Sequence, residues 1–199
     1  MNTHRNMWPY LWLAIALIAY SLPWQWHTTH TLMLNAYDLA EWQSVLASSQ
    51  DSLAASGASL SLRLPLLVIT VVFAFLTRGA ADNLHLIARW IIIGLLIIAQ
   101  LPPLTALTSI FRDANNAQQF TLAGLSLLMA IGISLRKSPV DKWLVIGLVA
   151  IFVIGGLFGI AQTMAAFNGL GITVMIGAGG VLLAGVMWGF LLIPHGEAA

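Results

Sequence analysis

Six stretches of this chain, at roughly 8–23, 64–77, 90–111, 119–135, 143–167 and 172–193, run without one Asp, Glu, Lys or Arg. Uncharged apolar runs approaching 20 residues match the thickness of a bilayer and exceed what a soluble fold ordinarily tolerates. Composition agrees: 59% of the 199 residues are hydrophobic and 8% are charged. Soluble domains carry about a quarter charged residues. The expected fold is an all-α, polytopic transmembrane bundle of about six spans in a single membrane domain, 1–199, with one short amphipathic helix on its outer surface.

The first, second and fourth runs are short for a hydrocarbon core of about 30 Å, so interfacial side chains must extend them. Trp8, Tyr10, Trp24 and Trp26 bracket the first, and Arg63 is expected to snorkel outward from the start of the second. Arg5 followed by "WLAIALIAYSL", with Ala19 and Ser21, also has the outline of a secretory signal. Pro9, Tyr20 and the tryptophans suit a retained anchor better. The Lys/Arg bias of the loops orients the chain. A cytoplasmic N-terminus places Arg5, Arg78, Arg89, Arg136, Lys137 and Lys142 inside, with Arg63 and Arg112 outside. Both termini are then cytoplasmic, the 24–62 loop faces outward, and a bacterial cytoplasmic membrane is the expected location.

Within that loop, "TLMLNAYDLAEWQ" opens a helix at about 36–48. Asn35 and Asp38 have the spacing of a capping box, with Leu34 and Leu39 as a hydrophobic staple. Leu39, Trp42, Val45 and Leu46 make an apolar stripe opposite Asp38, Glu41, Ser44 and Ser48. The helix is expected to lie on headgroups or neighbouring spans, offering Tyr37, Asp38, Leu39, Glu41 and Trp42 as contacts. Residues 48–61 read as a flexible polar connection. Ser138, Pro139 and Asp141 form a second capping pattern before the fifth span, and "FNGLG" at 167–171 turns it into the sixth.

Inside the spans no ionisable residue is expected, which argues against a carboxylate-driven carrier. The sharpest feature is "IIAQLPPLTALTS". Pro102 and Pro103 leave carbonyls of Ile98 and Ala99 without their usual donors and predict a kink. Gln100 should lie about 15 Å deep, where its amide must find a partner. Gln100, Pro102 and Pro103 are therefore the pathway candidates, although a lone Gln also serves as glue between helices. Gly155 with Gly159, and Gly185 with Gly189, allow close helix packing.

Several function classes are excluded or disfavoured. Net charge +1 leaves no footprint for nucleic acid, and the absence of cysteine removes disulfides, thiolate metal sites and a Cys nucleophile. His27, His30, Asp38 and Glu41 sketch a two-nitrogen, two-oxygen constellation, but no recognised ligand spacing supports it, so no metal and no cofactor are expected. Nucleophile-elbow, zinc-peptidase and phosphate-loop patterns are missing. In size and span count alone the chain is similar to permease subunits of ABC transporters and to substrate-capture subunits of energy-coupling-factor transporters. "RGAADNLHLIARW", residues 78–90, lacks the Glu-Ala-Ala pattern of importer permeases. The expected function is that of a non-catalytic transport component, permease-like or substrate-capturing. Its partners would be the lipid bilayer, other membrane subunits and an ATPase from another chain. The alternatives are a structural or assembly subunit and, more remotely, an outer-face enzyme.

Overall fold

A computed structural model describes residues 7–26, 33–50, 53–78, 83–109, 112–135, 142–167 and 172–192. The fold is helical. Seven α-helices follow in order: α1 (Trp8–Ser21), α2 (Ala36–Gln50), α3 (Leu53–Leu76), α4 (Asn83–Ile98), α5 (Ala114–Leu135), α6 (Lys142–Phe167) and α7 (Ile172–Leu192). A two-residue antiparallel ladder, β1 (Gln25–Trp26) with β2 (Met33–Leu34), pinches the connection before α2, and a 3-10 helix, Leu104–Ser109, precedes α5. Among the described residues α3 and α5 are long and apolar enough to cross a membrane, and α1 and α4 are shorter apolar helices.

The central element is α3, which packs against α1, α2, α4, α5 and α6. Its 24 residues extend about 36 Å. The expected second span began at residue 64, with a flexible connection ahead of it. Instead, residues 53–63 are helical and continue unbroken into the apolar run. The small residues of this stretch explain why: Ala55, Ala58 and Ser59 are buried against neighbouring helices, so tertiary packing outweighs their modest local preference. Arg63 consequently lies near the middle of a helix, not at its mouth. It is 3% exposed, and outward snorkelling is excluded.

The third expected span, 90–111, is broken. Helix α4 ends at Ile98, and its last amides tighten to the i−3 pattern, Gln100 N donating to Ile97 O and Leu101 N to Ile98 O. The proline pair then prevents continuation. A kinked but continuous helix was expected; the chain terminates one helix and starts a 3-10 turn.

At the opposite end, the four carbonyls that the last turn of α3 leaves without intrahelical donors are each occupied. Phe73 O accepts from Thr77, Ala74 O from Arg89 Nη2, Phe75 O from Arg78 N and Leu76 O from Tyr10 Oη. Arg89 thus caps α3 through the space between helices. It is 4% exposed and also donates to Ser134 Oγ at 2.6 Å near the end of α5. A cation is favoured beside two helix C-termini.

The second layer is α1, α6 and α7. Trp24 turns its indole back onto Ala19 O at 2.9 Å, filling the space over Gly177, where a Cβ would sit 2.4 Å from the ring. Gly185 faces the Phe152 ring, and Gly189 faces Val149. Gly155 and Gly159 face Leu64, Leu62 and Ser61 of α3. The two glycine pairs therefore serve different contacts, α7 on α6 and α6 on α3.

Candidate functional site

Most of the buried polar groups among the described residues lie along one seam. Helices α3 and α5 run parallel, and three polar levels join them. From outside inward on the expected orientation, these are the Arg63 cluster, the Gln100 cluster and the Arg89 cap.

The first level begins with the fold of α2. Asn35 Oδ1 accepts from the amides of Tyr37 and Asp38, and Asp38 Oδ2 accepts from Asn35 N. The capping box read from the sequence is formed. Helix α2 then runs back along the first half of α3, so that Glu41 meets Arg63 at 2.8 Å. The expected apolar stripe does not pack as one. Ala36, Leu39, Ala40 and Gln43 are buried, whereas Trp42 and Val45 face outward. Glu41 lies off that buried face and is part-exposed, and from there it supplies the counter-charge that the buried guanidinium needs.

On α5, Asp113 caps the helix by accepting from Asn115 N at 2.9 Å. The next turns then present Asn115, Gln118 and Gln119 to Arg63 and Glu41. Arg63 Nη1 donates to Gln118 Oε1 at 2.7 Å, and Nη2 donates to Asn115 Oδ1 at 2.7 Å as well as to Glu41 Oε1. The Glu41 carboxylate also accepts from Asn115 Nδ2 at 3.1 Å and from Gln119 Nε2. Tyr37 Oη donates to Gln119 Oε1 at 3.1 Å, and its ring lies under the Arg63 guanidinium, 5.7 Å to the centroid. Burial, and then the neighbouring Glu41 carboxylate, raises the Tyr37 pKa above the usual phenol value. Tyr37 therefore stays a donor. Arg63 Nε has no hydrogen-bond partner among the described residues.

About 10 Å further along α3, counting seven residues, Gln100 bridges the helices. Its Nε2 donates to Thr70 Oγ1 at 3.2 Å and to Leu96 O at 3.0 Å, and its Oε1 accepts from Ser126 Oγ at 2.7 Å. The partner that its depth demands is thus two neighbouring helices and its own backbone. Pro102 is buried beside it and Pro103 is exposed. Between the two levels lies a cavity of about 10 Å³, lined by Tyr20, Tyr37, Arg63, Leu66, Gln100 and Leu122. That is space for about one water molecule. Beyond Gln100, Ala74, Ile93 and Ala130 form a small apolar cluster that separates it from the Arg89 cap.

The structure brings Tyr37, Glu41 and Gln100 to this seam, sets Asp38 in the cap and Leu39 in the core, and leaves Trp42 on the surface. The glycine pairs lie elsewhere, in the α6 contacts. Arg63, Asn115, Gln118, Gln119, Thr70 and Ser126 were missed. Their signal was present: Ser59, Arg63, Leu66 and Thr70 recur at helical spacing once α3 is begun at 53, as do Gln119, Leu122 and Ser126 on α5. His27 and His30, together with Ser138, Pro139, Asp141 and the 168–171 turn, fall outside the described residues. Of the constellation sketched with those histidines, Asp38 is engaged in a helix cap and Glu41 with Arg63.

No family model, curated protein or solved structure matches the chain.

Proposed function

We propose that this chain is the membrane-embedded, non-catalytic component of a transport system, and that the polar seam between α3 and α5 is its pathway, closed at the outer end by α2. The carrying observation is the buried run from Arg63 through a water-sized cavity to Gln100 inside an otherwise apolar bundle. A buried ion pair is often no more stable than a well-packed apolar replacement, so stability alone gives little reason to keep one. Ionisable and amide groups deep in a membrane protein by default mark paths for solutes or ions.

The bilayer reading is supported by what faces outward. Of α4 only Arg89 and Ile93 are buried, while Leu84, Ile87, Ile91, Leu95 and Ile98 are all more than half exposed. An exterior of that kind suits lipid. In the proposed arrangement α1, α3, α4 with its 3-10 extension, α5, α6 and α7 cross the membrane, and both termini lie in the cytoplasm. Burial of Arg63 removes it from the outer loops. Arg112 is then the one outer cation, against Arg5, Arg78, Arg136, Lys137 and Lys142 inside, which sharpens the charge asymmetry. An ATPase, if one drives the cycle, comes from another chain.

A second reading, a structural subunit of a larger membrane complex, draws on the same lightly packed α4, whose apolar surface also fits a neighbouring subunit. Gln100→Leu separates the two. The substitution removes three hydrogen bonds at one site, a stability cost of about 1 kcal/mol in a bilayer. On the transport reading, flux measured in cells or proteoliposomes falls at least tenfold while the folded yield is kept. Unchanged flux takes Gln100 out of the pathway and leaves the structural reading standing.

A further inference from the structure

We propose, resting on the transport reading above, that the seat made by Arg63, Asn115 and Gln119 is a receptor for a carboxylate-bearing solute, and that Glu41 of α2 occupies it as an internal stand-in. The argument is the donor set. One guanidinium nitrogen and two side-chain amides converge on a single carboxylate: Arg63 Nη2 and Gln119 Nε2 on Oε1, and Asn115 Nδ2 on Oε2. The guanidinium is held by α5 independently of Glu41, while Gln119 is held by Tyr37 of α2. Gln118 Oε1 fixes Arg63 Nη1, Asn115 Oδ1 fixes Nη2 and Tyr37 Oη fixes Gln119 Oε1. A planar, bidentate-capable guanidinium with flanking amides recognises carboxylate in preference to a spherical anion.

The occupant is less anchored than its seat. Arg63 and Gln119 are 3% and 1% exposed, whereas the Glu41 side chain is 39% exposed. Glu41 enters from the solvent side on a helix whose outer residues Trp42 and Val45 are 47% and 59% exposed. Arg63 Nε, buried and unpartnered, gives the seat one further donor, and the cavity toward Gln100 opens from the same guanidinium. Displacing Glu41 would free α2 and admit the solute to the head of the seam in one exchange, carboxylate for carboxylate, with the charge of the site unchanged. The tethered Glu41 acts as a competitor at an effective concentration of millimolar order or above. A free monocarboxylate must therefore reach about tens of millimolar to displace it.

The chain has no native cysteine, so a single Val45→Cys change on the exposed face of α2 accepts a spin label without disturbing the seat. In the full chain in detergent, titration with sodium acetate is expected to raise label mobility saturably, and sodium chloride at equal ionic strength is expected not to. Added Arg63→Lys, which keeps the charge and loses the fork, should abolish the acetate response. Added Glu41→Gln should give high mobility before any acetate. No acetate response up to 200 mM in the Glu41-bearing protein, or an equal response to chloride, overturns the proposal. Because the readout is equilibrium binding, such a failure removes the carboxylate class and leaves the pathway to be judged by Gln100→Leu.

Discussion

Glu41 and Arg63 form a charge pair whose two members pay different desolvation penalties. Arg63 is deep and Glu41 is part-exposed, so losing Glu41 strands a buried guanidinium, while losing both charges strands no cation and leaves the buried Gln119 amide without its carboxylate acceptor. Glu41→Ala is expected to lower the unfolding free energy by about 2–3 kcal/mol, the low end for breaking a buried pair because one partner is partly hydrated. The double change Glu41→Leu with Arg63→Met should be less destabilised than Glu41→Ala because no cation is stranded, yet stay about 1 kcal/mol or more below the parent for the unpaired Gln119 amide, and should still fail to transport. Thermal unfolding in detergent, set beside a flux assay, checks both halves. A double variant that transports normally would show the pair to be a tether. The capping box at Asn35 and Asp38 was legible in the sequence because it is local, made within four residues. The Arg63 partnership was not, since its partners come from α2 and α5, up to 55 residues away.

At the scale of elements, the glycines of α7 show how neighbours alone decide a residue's worth. A Cβ at Gly185 would lie 2.4 Å from the Phe152 ring, which itself stacks edge-on against Trp188 at 5.7 Å, whereas a Cβ at Gly179 meets nothing within 4 Å. Gly185→Ala should therefore destabilise by about 1–3 kcal/mol through overpacking, and Gly179→Ala should be neutral or stabilise by up to about 1 kcal/mol from helix propensity. Melting temperatures of the two variants, measured side by side, check the contrast. Spacing identified Gly155, Gly159, Gly185 and Gly189 as packing positions. It could not say that the first pair seats α3 while the second seats α6. Helix boundaries failed in the same way at α3, where apolarity begins at residue 64 but the helix begins at Leu53. Hydropathy reports where lipid is tolerated, and helical hydrogen bonding extends past that point wherever packing supports it.

For the whole molecule, the proposed orientation makes a labelling prediction that the cysteine-free background keeps clean. A membrane-impermeant maleimide added to intact cells should label Val45→Cys and spare Asn83→Cys at the start of α4, with the order reversed in inverted vesicles. Tags on Met1 and Ala199 should both be reached only after permeabilisation. Labelling of both cysteines from one side would remove the threading on which the pathway rests, whatever the chemistry of the seam. The levels of the seam are spaced by the rise of α3, and its inner end is closed by the Ala74, Ile93 and Ala130 cluster. On the proposed pathway its opening would require α4 or α5 to move away from α3, and of α4 only Arg89 and Ile93 are buried.

What the sequence determined by itself was an apolar, helical chain and those starts and stops that are local. Uncharged runs, the cap before α2 and the proline pair after α4 act through short-range physics, so they are written in neighbouring residues. What only the tertiary structure decided was the fate of the polar groups. A guanidinium or an amide in an apolar setting must find a partner, and which partner depends on the register of helices far apart in the chain. That register placed Arg63 in the core, paired it with Glu41 and joined Gln100 to Thr70 and Ser126.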